Sequence, residues 1–233
     1  MKKLAVVGAA GRMGKEILLL LENHEELKVT DTVDPHGRTS ARTIEEVDPE
    51  RCDGVIDFSQ PASTMKVAKW CAKHKKFLVS GTTGLSRAQQ SSLKTLSRRI
   101  PILWAPNLSM GIAAMKEALK AFAGLKDFDF QIEEIHHRHK KDSPSGTAIA
   151  LQQVLSEALG RRLPEPVSVR GGGVRGVHRV FAMGEGEIIY LEHVAMDRAI
   201  FARGAVAAAE WLSHQRRGFY GVDDLWQQQH RKR

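Results

Sequence analysis

The sequence predicts an α/β protein: a Rossmann-type parallel sheet domain followed by a smaller α+β domain with a mixed sheet. Three observations predict it. Short apolar, β-branched runs alternate with helical patterns through the first 110 residues. The first run ends in a glycine-rich turn that opens a helix. After Asn107 the alternation gives way to longer strands and a hairpin. Strand–helix alternation with short connections makes a parallel sheet, because parallel neighbours need right-handed crossovers. The expected division is residues 1–108, completed by 204–233, and residues 109–203.

The expected strands of the first domain are Leu4–Val7, Leu27–Val33, Gly54–Phe58, Phe77–Ser80 and Ile102–Ala105. Four are nearly continuous in apolar character, as strands covered on both faces should be. Met13, Ile17, Leu20 and Leu21 make one helical stripe. Pro61 suits the first turn of a helix through Trp70 and Cys71. Ser86 with Gln89 forms a capping box for a helix to about Arg99. In the second domain a helix is expected over Met110–Ala123, a strand over Phe128–Ile135, and a helix from Ser145 to Leu159 that stops at Gly160. Val167–Val169, Arg179–Met183 and Glu187–Val194 read as strands, the last two joined by Gly184-Glu185-Gly186. Phe201–His214 is read as the final helix and His230–Arg233 as a frayed, solvated tail. The crossovers Asn107–Gly111 and Arg198–Gly204 are expected hinges.

Composition narrows the function. With 35 Lys and Arg against 27 Asp and Glu, the chain carries +8 and favours anionic partners. Nucleic acid is one such partner, but no helix-turn-helix, zinc finger or aromatic RNA-binding stretch is present, so none is expected. No apolar run reaches the ~18 residues of a membrane helix, so no membrane role is expected either. Leu4–Val7 is too short for an export segment of about 7–15 residues. Cys52 and Cys71 give no disulfide framework, which points to the cytoplasm.

Gly8-Ala9-Ala10-Gly11-Arg12-Met13-Gly14 lies in the first strand–helix turn. Missing side chains let backbone approach a pyrophosphate whose charge sits on the helix N-terminus. Glycines also serve tight turns for steric reasons alone, but the βαβ context favours a dinucleotide site. Asp34, at the end of the second strand, is the expected ribose ligand, with Asp31 as rival. Arg12, His36 and Arg38 could meet a 2′-phosphate, so NADH and NADPH both stay open. Two further turns follow strands on the same edge: Gly81-Thr82-Thr83-Gly84 and Ala105-Pro106-Asn107-Leu108. They are expected to line a nicotinamide cleft.

Three histidines and three cations fill the six places from His136 to Lys141. No cysteine is near, and zinc sites draw histidines from separated positions, so no metal is expected. Asp142 or Ser143 can cap a helix, Pro144 fits its first turn, and Ser145-Gly146-Thr147 opens it. Its free amides form an anion seat beside His136, His137 and Lys140. The set suits a small dianion, and histidine can deliver a proton near neutral pH.

At these residues the chain resembles the 4-hydroxy-tetrahydrodipicolinate (dihydrodipicolinate) reductases of diaminopimelate and lysine biosynthesis. The resemblance rests on Glu-x-His-His-Arg-x-Lys-x-Asp-x-Pro-Ser-Gly-Thr-Ala, starting at Glu134, behind the Gly8–Gly14 and Gly81–Gly84 motifs. It extends through Arg170–His178 and Phe201–Ala205. It implies an NAD(P)H domain, a substrate and oligomerisation domain, and a homotetramer. It also implies His136 as proton donor, Lys140 as a catalytic and substrate-binding lysine, and His137, Gly146 and Thr147 as carboxylate contacts. Cofactor contacts would be Gly8, Ala9, Ala10, Gly11, Arg12, Met13, Asp34, Gly81, Thr82, Thr83, Ala105, Pro106, Asn107 and Leu108. The stretch from Asp34 to Gly54 is short, which implies a less enclosed adenosine pocket.

Overall fold

The structure, a computed structural model, describes residues 1–231. The chain forms two compact units, Met1–Ser109 with the segment from Ala199 onward, and Met110–Arg198.

The first unit is built on six parallel strands: β1 (Lys2–Val7), β2 (Leu27–Val33), β3 (Gly54–Asp57), β4 (Phe77–Ser80), β5 (Pro101–Trp104) and β10 (Gly218–Tyr220). Their order is β10-β5-β4-β3-β1-β2. β3 and β4 are buried along their whole length, which explains their unbroken apolar character. Helices α1 (Arg12–Leu21), α2 (Pro61–His74), α3 (Arg87–Leu96) and α6 (Ala199–Leu212) flank the sheet, and α7 (Val222–Arg231) ends the chain. The Ser86–Gln89 capping box forms as expected, but α3 stops at Leu96 because Ser97 closes the helix. α6 packs against α1 and runs so close to the loop after β5 that a Cβ on Gly204 would lie 1.8 Å from the Leu108 carbonyl oxygen.

Neither β10 nor α7 was expected from the sequence, and α6 is not the last helix. The expected frayed tail begins inside α7, whose backbone includes His230 and Arg231; Lys232 and Arg233 lie outside the described residues.

The second unit is a four-stranded mixed sheet, β7-β6-β8-β9, made by β6 (Asp129–His136), β7 (Val167–Arg170), β8 (Val177–Gly184) and β9 (Glu187–Val194). β6 runs parallel to β7 and antiparallel to β8. α4 (Met110–Leu119), a 3₁₀ turn over Lys120–Gly124 and α5 (Gly146–Leu159) cover one face through Leu119, Phe122, Leu151 and Leu155. The expected helix to Ala123 therefore changes pitch at Lys120. β8 starts two residues earlier than expected, because Val177 and His178 still pair with β9. The cap of α5 also differs: Ser145, not Asp142 or Ser143, is the N-cap, its Oγ accepting from the Ala148 amide. Pro144 thus precedes the helix rather than occupying its first turn.

Candidate active site

The glycine turn splits into two kinds of glycine. Gly8 has φ +80°, and a Cβ there would lie 2.4 Å from the Phe58 carbonyl oxygen. At Gly14 a Cβ would lie 2.2 Å from the Gly8 carbonyl oxygen, so this residue lets α1 close onto β1. Both are demanded by the fold itself. Gly11 is different: it is exposed, it is the N-cap of α1, and no side chain caps the helix from it. No acidic residue occupies the first turn of α1, which keeps its N-terminus suited to an anion.

Gly8, Gly11 and Asp34 line a cavity of about 540 Å³ at the carboxyl ends of β1 and β3, where the strand order reverses. Asp34 Oδ2 accepts from the Ala10 amide at 3.2 Å, and Oδ1 from the His36 amide at 2.9 Å. The acid thereby ties the tip of the glycine turn to the end of β2. Asp31 stays inside β2. Arg42 and Lys66 bring positive charge to the same cavity, which His36 also lines, whereas Arg12 and Arg38 are simply exposed. The short Asp34–Gly54 stretch does wall this cavity: it folds into two 3₁₀ turns, Ile44–Glu46 and Pro49–Arg51, and Thr43, Ile44 and Glu45 face the space.

Beneath the cavity edge sits Asp57, fully buried at the end of β3. Its Oδ2 accepts from Thr64 Oγ1 at 2.6 Å, Ser80 Oγ at 2.9 Å and Thr82 Oγ1 at 3.1 Å. Its Oδ1 accepts from the hydroxyl and amide of Ser59. One carboxylate thus pins α2, β4 and the loop after β4. Trp104 Nε1 also holds that loop, donating to the Thr82 carbonyl at 3.0 Å. Gly81 lies against the Phe58 ring, while Thr83 and Pro106 are exposed. The Ala105 amide bonds the Ser80 carbonyl, Asn107 Oδ1 accepts from the Ser109 amide, and Leu108 is buried under Gly204. Ala9 is buried, and Arg12 and Met13 open α1.

The second unit holds the histidine segment. His136 ends β6 and is buried; its Nδ1 bonds Glu134 Oε2. Glu134 also receives Arg170 as a fork, Nη1 to Oε2 at 2.9 Å and Nη2 to Oε1 at 2.6 Å, and the Ser145 amide at 3.1 Å. Burial works against the charged form of Glu134. The donors from Arg170 and His136 outweigh it and hold its carboxyl at about 2. For His136, burial lowers the pKa, assisted by the Lys140 and Arg170 charges; Glu134 opposes them, and the net direction is down. His178 lies edge-on to His136 at 5.2 Å, its Nε2 3.3 Å from Ser145 Oγ, and burial pushes it down to about 4.

Lys140 follows a tight turn in which its amide bonds the His137 carbonyl, and its Nζ pairs with Asp142 at 2.8 Å. Burial alone would raise Asp142, but Lys140 and backbone amides, that of Gly146 included, hold it below the usual carboxylate range. Gly146 is exposed at the first position of α5, with Thr147 half-buried next to it. Sequence reasoning missed Glu134, Arg170 and Asp57. For Glu134 a signal existed: Phe130, Ile132, Glu134 and His136 alternate onto the buried face of β6, which places an acid in the core beside a histidine.

Among the described residues, no group of three or more His, Cys, Asp or Glu is placed to hold a metal ion. The residues fit a dinucleotide instead, on the strength of the exposed Gly11 at the anion-ready N-terminus of α1 and the cavity it lines with Gly8 and Asp34.

A doubly wound sheet with this cradle, in a chain whose second, mixed-sheet unit carries a buried acid–imidazole pair, defines a dinucleotide-binding fold of the Rossmann class. Residues 2–108 match the family model described as dihydrodipicolinate reductase, N-terminus, and residues 111–226 the one described as its C-terminus. A 4-hydroxy-tetrahydrodipicolinate reductase from Bdellovibrio bacteriovorus is 44% identical over 96% of this chain and 95% of its own. One from Nitratiruptor sp. is 36% identical over 96% and 98%. A solved dihydrodipicolinate reductase from Paenisporosarcina sp. TG-14, with dipicolinate bound, superposes with TM-score 0.78 at 21% identity, covering 95% of this chain and 97% of that one. The chain belongs to the dihydrodipicolinate reductase family.

Proposed function

We propose that this chain reduces 4-hydroxy-tetrahydrodipicolinate to tetrahydrodipicolinate with NADH or NADPH, in diaminopimelate and lysine biosynthesis, the 4-hydroxyl leaving as water before hydride and proton are added. The observation that carries the reading is the cluster of His136, Glu134, Lys140 and Arg170 beside the N-terminus of α5, in a chain 44% identical to a relative of that name. A reduced nicotinamide dinucleotide, held by its pyrophosphate at the glycine turn, would supply the hydride. The first unit's residues hold it: Gly8, Ala9, Ala10, Gly11, Arg12 and Met13 at the pyrophosphate, Asp34 at the ribose. Gly81, Thr82, Thr83 and Ala105–Leu108 stand at the nicotinamide.

The second unit binds the dicarboxylate. One carboxylate takes the Gly146 and Thr147 amides, the other His137 and Lys140. Burial, with the Lys140 and Arg170 charges, holds His136 down in the free protein; a dianion there offsets those two charges and so favours the imidazolium. His136 then protonates the ring after hydride addition, and Lys140 offsets the charge that develops.

Cofactor choice follows the cavity rim. Asp34 suits a ribose 2′-hydroxyl, while Arg42 and Lys66 suit a 2′-phosphate, which supports a site for NADH or NADPH. The open face of the second unit's sheet, where Ile188 and Tyr190 are 63% and 62% exposed, supports association of copies of the chain, as in a homotetramer. Among the described residues no helix is long and apolar enough to cross a membrane. Two free buried thiols, both with raised pKa, suit the cytoplasm.

The test is steady-state oxidation of NADH and of NADPH with substrate generated in situ by the preceding synthase. Turnover with both is expected; turnover with neither overturns the reading. A crystal with NADH and pyridine-2,6-dicarboxylate should bring the nicotinamide and His136 into one crevice, and their separation would equally end it.

A further inference from the structure

We propose that Glu134 and Arg170 are positioning residues that lock His136 as its Nδ1–H tautomer and make Nε2 the atom that transfers the proton. This rests on the reading of His136 as proton donor and adds to it the machinery that sets which nitrogen acts.

The argument starts from the carboxylate. Glu134 is wholly buried on β6, two residues from His136 and on the same face. Arg170 reaches it from β7 with both Nη atoms, and the Ser145 amide reaches it from the start of α5. A carboxylate with a guanidinium fork and an amide on its oxygens is an acceptor only. The hydrogen between Glu134 Oε2 and His136 Nδ1 must therefore belong to the imidazole. Nδ1 is the donor in both charge states, and Nε2 is the nitrogen that gains and loses the proton.

Arg170 is placed twice over. Its Nη2 donates to the Asp142 carbonyl at 2.7 Å, and the next residue's amide, Gly171, donates to the His136 carbonyl at 2.9 Å. One arginine thus ties the end of β6 to the segment that carries Lys140. Nε2 lies along Gly176: a Cβ there would approach it to 3.0 Å, tighter than an ordinary contact. The glycine leaves the transferring nitrogen its space.

The charged and titratable groups around the ring are Glu134 on its own strand, Arg170 from β7, His178 from β8 with His193 beyond it on β9, and Lys140, paired with Asp142, from the following turn. Of these, Glu134 alone contributes a full negative charge directly on the ring. In the transfer, the Nε2–H bond breaks and a C–H bond forms on the reduced substrate ring. The electron pair stays on Nε2, the neutral ring keeps its Nδ1–H on Glu134, and solvent returns the proton to Nε2.

Glu134→Gln tests this. The amide oxygen remains the partner of Arg170, so the NH₂ group faces Nδ1 as a donor and inverts the tautomer. ¹⁵N chemical shifts of His136 in the ligand-free protein should report Nδ1–H in the parent and Nε2–H in E134Q. In turnover, kcat should fall about 10²–10⁴-fold with KM little changed, between the usual cost of a lost supporting partner and that of a wrong tautomer. The alkaline limb of the kcat profile should move to lower pH, because the charge favouring the imidazolium is gone. Glu134→Asp should restore part of both. Gly176→Ala adds no charge, so it should lower kcat without moving that limb.

Should E134Q not fold, Arg170→Lys keeps the charge but loses the fork, and is expected to shift the same limb less. An unchanged tautomer, or an active variant with the parental limb, overturns the assignment. A parent with no reductase turnover but a Glu134-dependent tautomer would instead overturn the reductase reading.

Discussion

The two units each bury one carboxylate completely, and they satisfy it in opposite ways. Asp57 is surrounded by neutral donors, the hydroxyls of Ser59, Thr64, Ser80 and Thr82. Glu134 is surrounded by a guanidinium, an imidazole and an amide. The first arrangement anchors loops: it draws α2, β4 and the Gly81–Thr82 turn to one point at the sheet's carboxyl edge. The second sets the electrostatics of a group that titrates. A buried acid among hydroxyls serves geometry; a buried acid among ionisable partners serves chemistry.

That contrast breaks most visibly in turnover. His136→Ala and Lys140→Ala should each lower kcat by about 10²–10⁴-fold, the usual worth of acid–base participation. NADH affinity, followed by fluorescence titration, should survive in both. Unchanged turnover in both variants would remove the chemical half of the comparison.

Asp57→Ala should act the other way round. It strands the buried hydroxyls of Thr64, Ser80 and Thr82 and the part-buried hydroxyl and amide of Ser59, at a cost of about 3 kcal/mol in denaturant unfolding. NADH binding should weaken because the Thr82 loop loses its anchor, while dicarboxylate binding, measured calorimetrically, should not. Weakened dicarboxylate binding with intact NADH affinity would reverse the roles given to the two carboxylates.

Acid should separate the units by stability. The His178 pKa is lowered from 6.5 to about 4 by burial and by its histidine neighbours, so the unfolded chain takes up a proton that the folded chain refuses. Stability is therefore whole above pH 6.5 and declines as pH falls towards 4, by an amount on the order of 3 kcal/mol for this group. The Glu134 pKa, lowered from 4.5 to about 2, adds a second loss between those values. Hydrogen exchange should show Met110–Arg198 opening first as pH falls from 6.5. Equal protection of both units down to pH 4 would argue against it.

Much of this was legible in the sequence, and where it was not the reason is physical. β1, β3, β4 and β5 announced themselves because strands covered on both faces read as apolar runs. β10 did not: it is a three-residue, half-buried edge strand whose pairing with β5 is entirely non-local. α7 opens on Asp223-Asp224 and runs into glutamines, so its polar face hid the apolar side that carries Leu225. At the site, His136 and Lys140 were readable as residue types. Arg170 was not, since it comes to Glu134 from a strand 36 residues away, and only the sheet register, which sets it opposite His136, brings it within reach. The Gly8–Gly14 motif was half read: two of its glycines answer to packing inside the unit, and Gly11 is the one left facing outward.

The smallest expected effect sharpens the comparison further. Asp142, 58% exposed, pairs with Lys140 and takes hydrogen bonding from the Gly146 amide, the two groups assigned to the substrate's carboxylates. A carboxylate of the protein therefore stands where one of the ligand's is expected, and binding must displace it. Asp142→Asn removes that competitor, and exposed ion pairs of this kind are worth about 0.2–1 kcal/mol. Pyridine-2,6-dicarboxylate should bind about 2–5-fold more tightly to the variant in calorimetry, and the gain should shrink at high salt as screening weakens the pair in the parent. Weaker binding would mean that Asp142 holds Lys140 in its productive place, as Arg170 holds Glu134, and the ion pair would then belong with the positioning contacts.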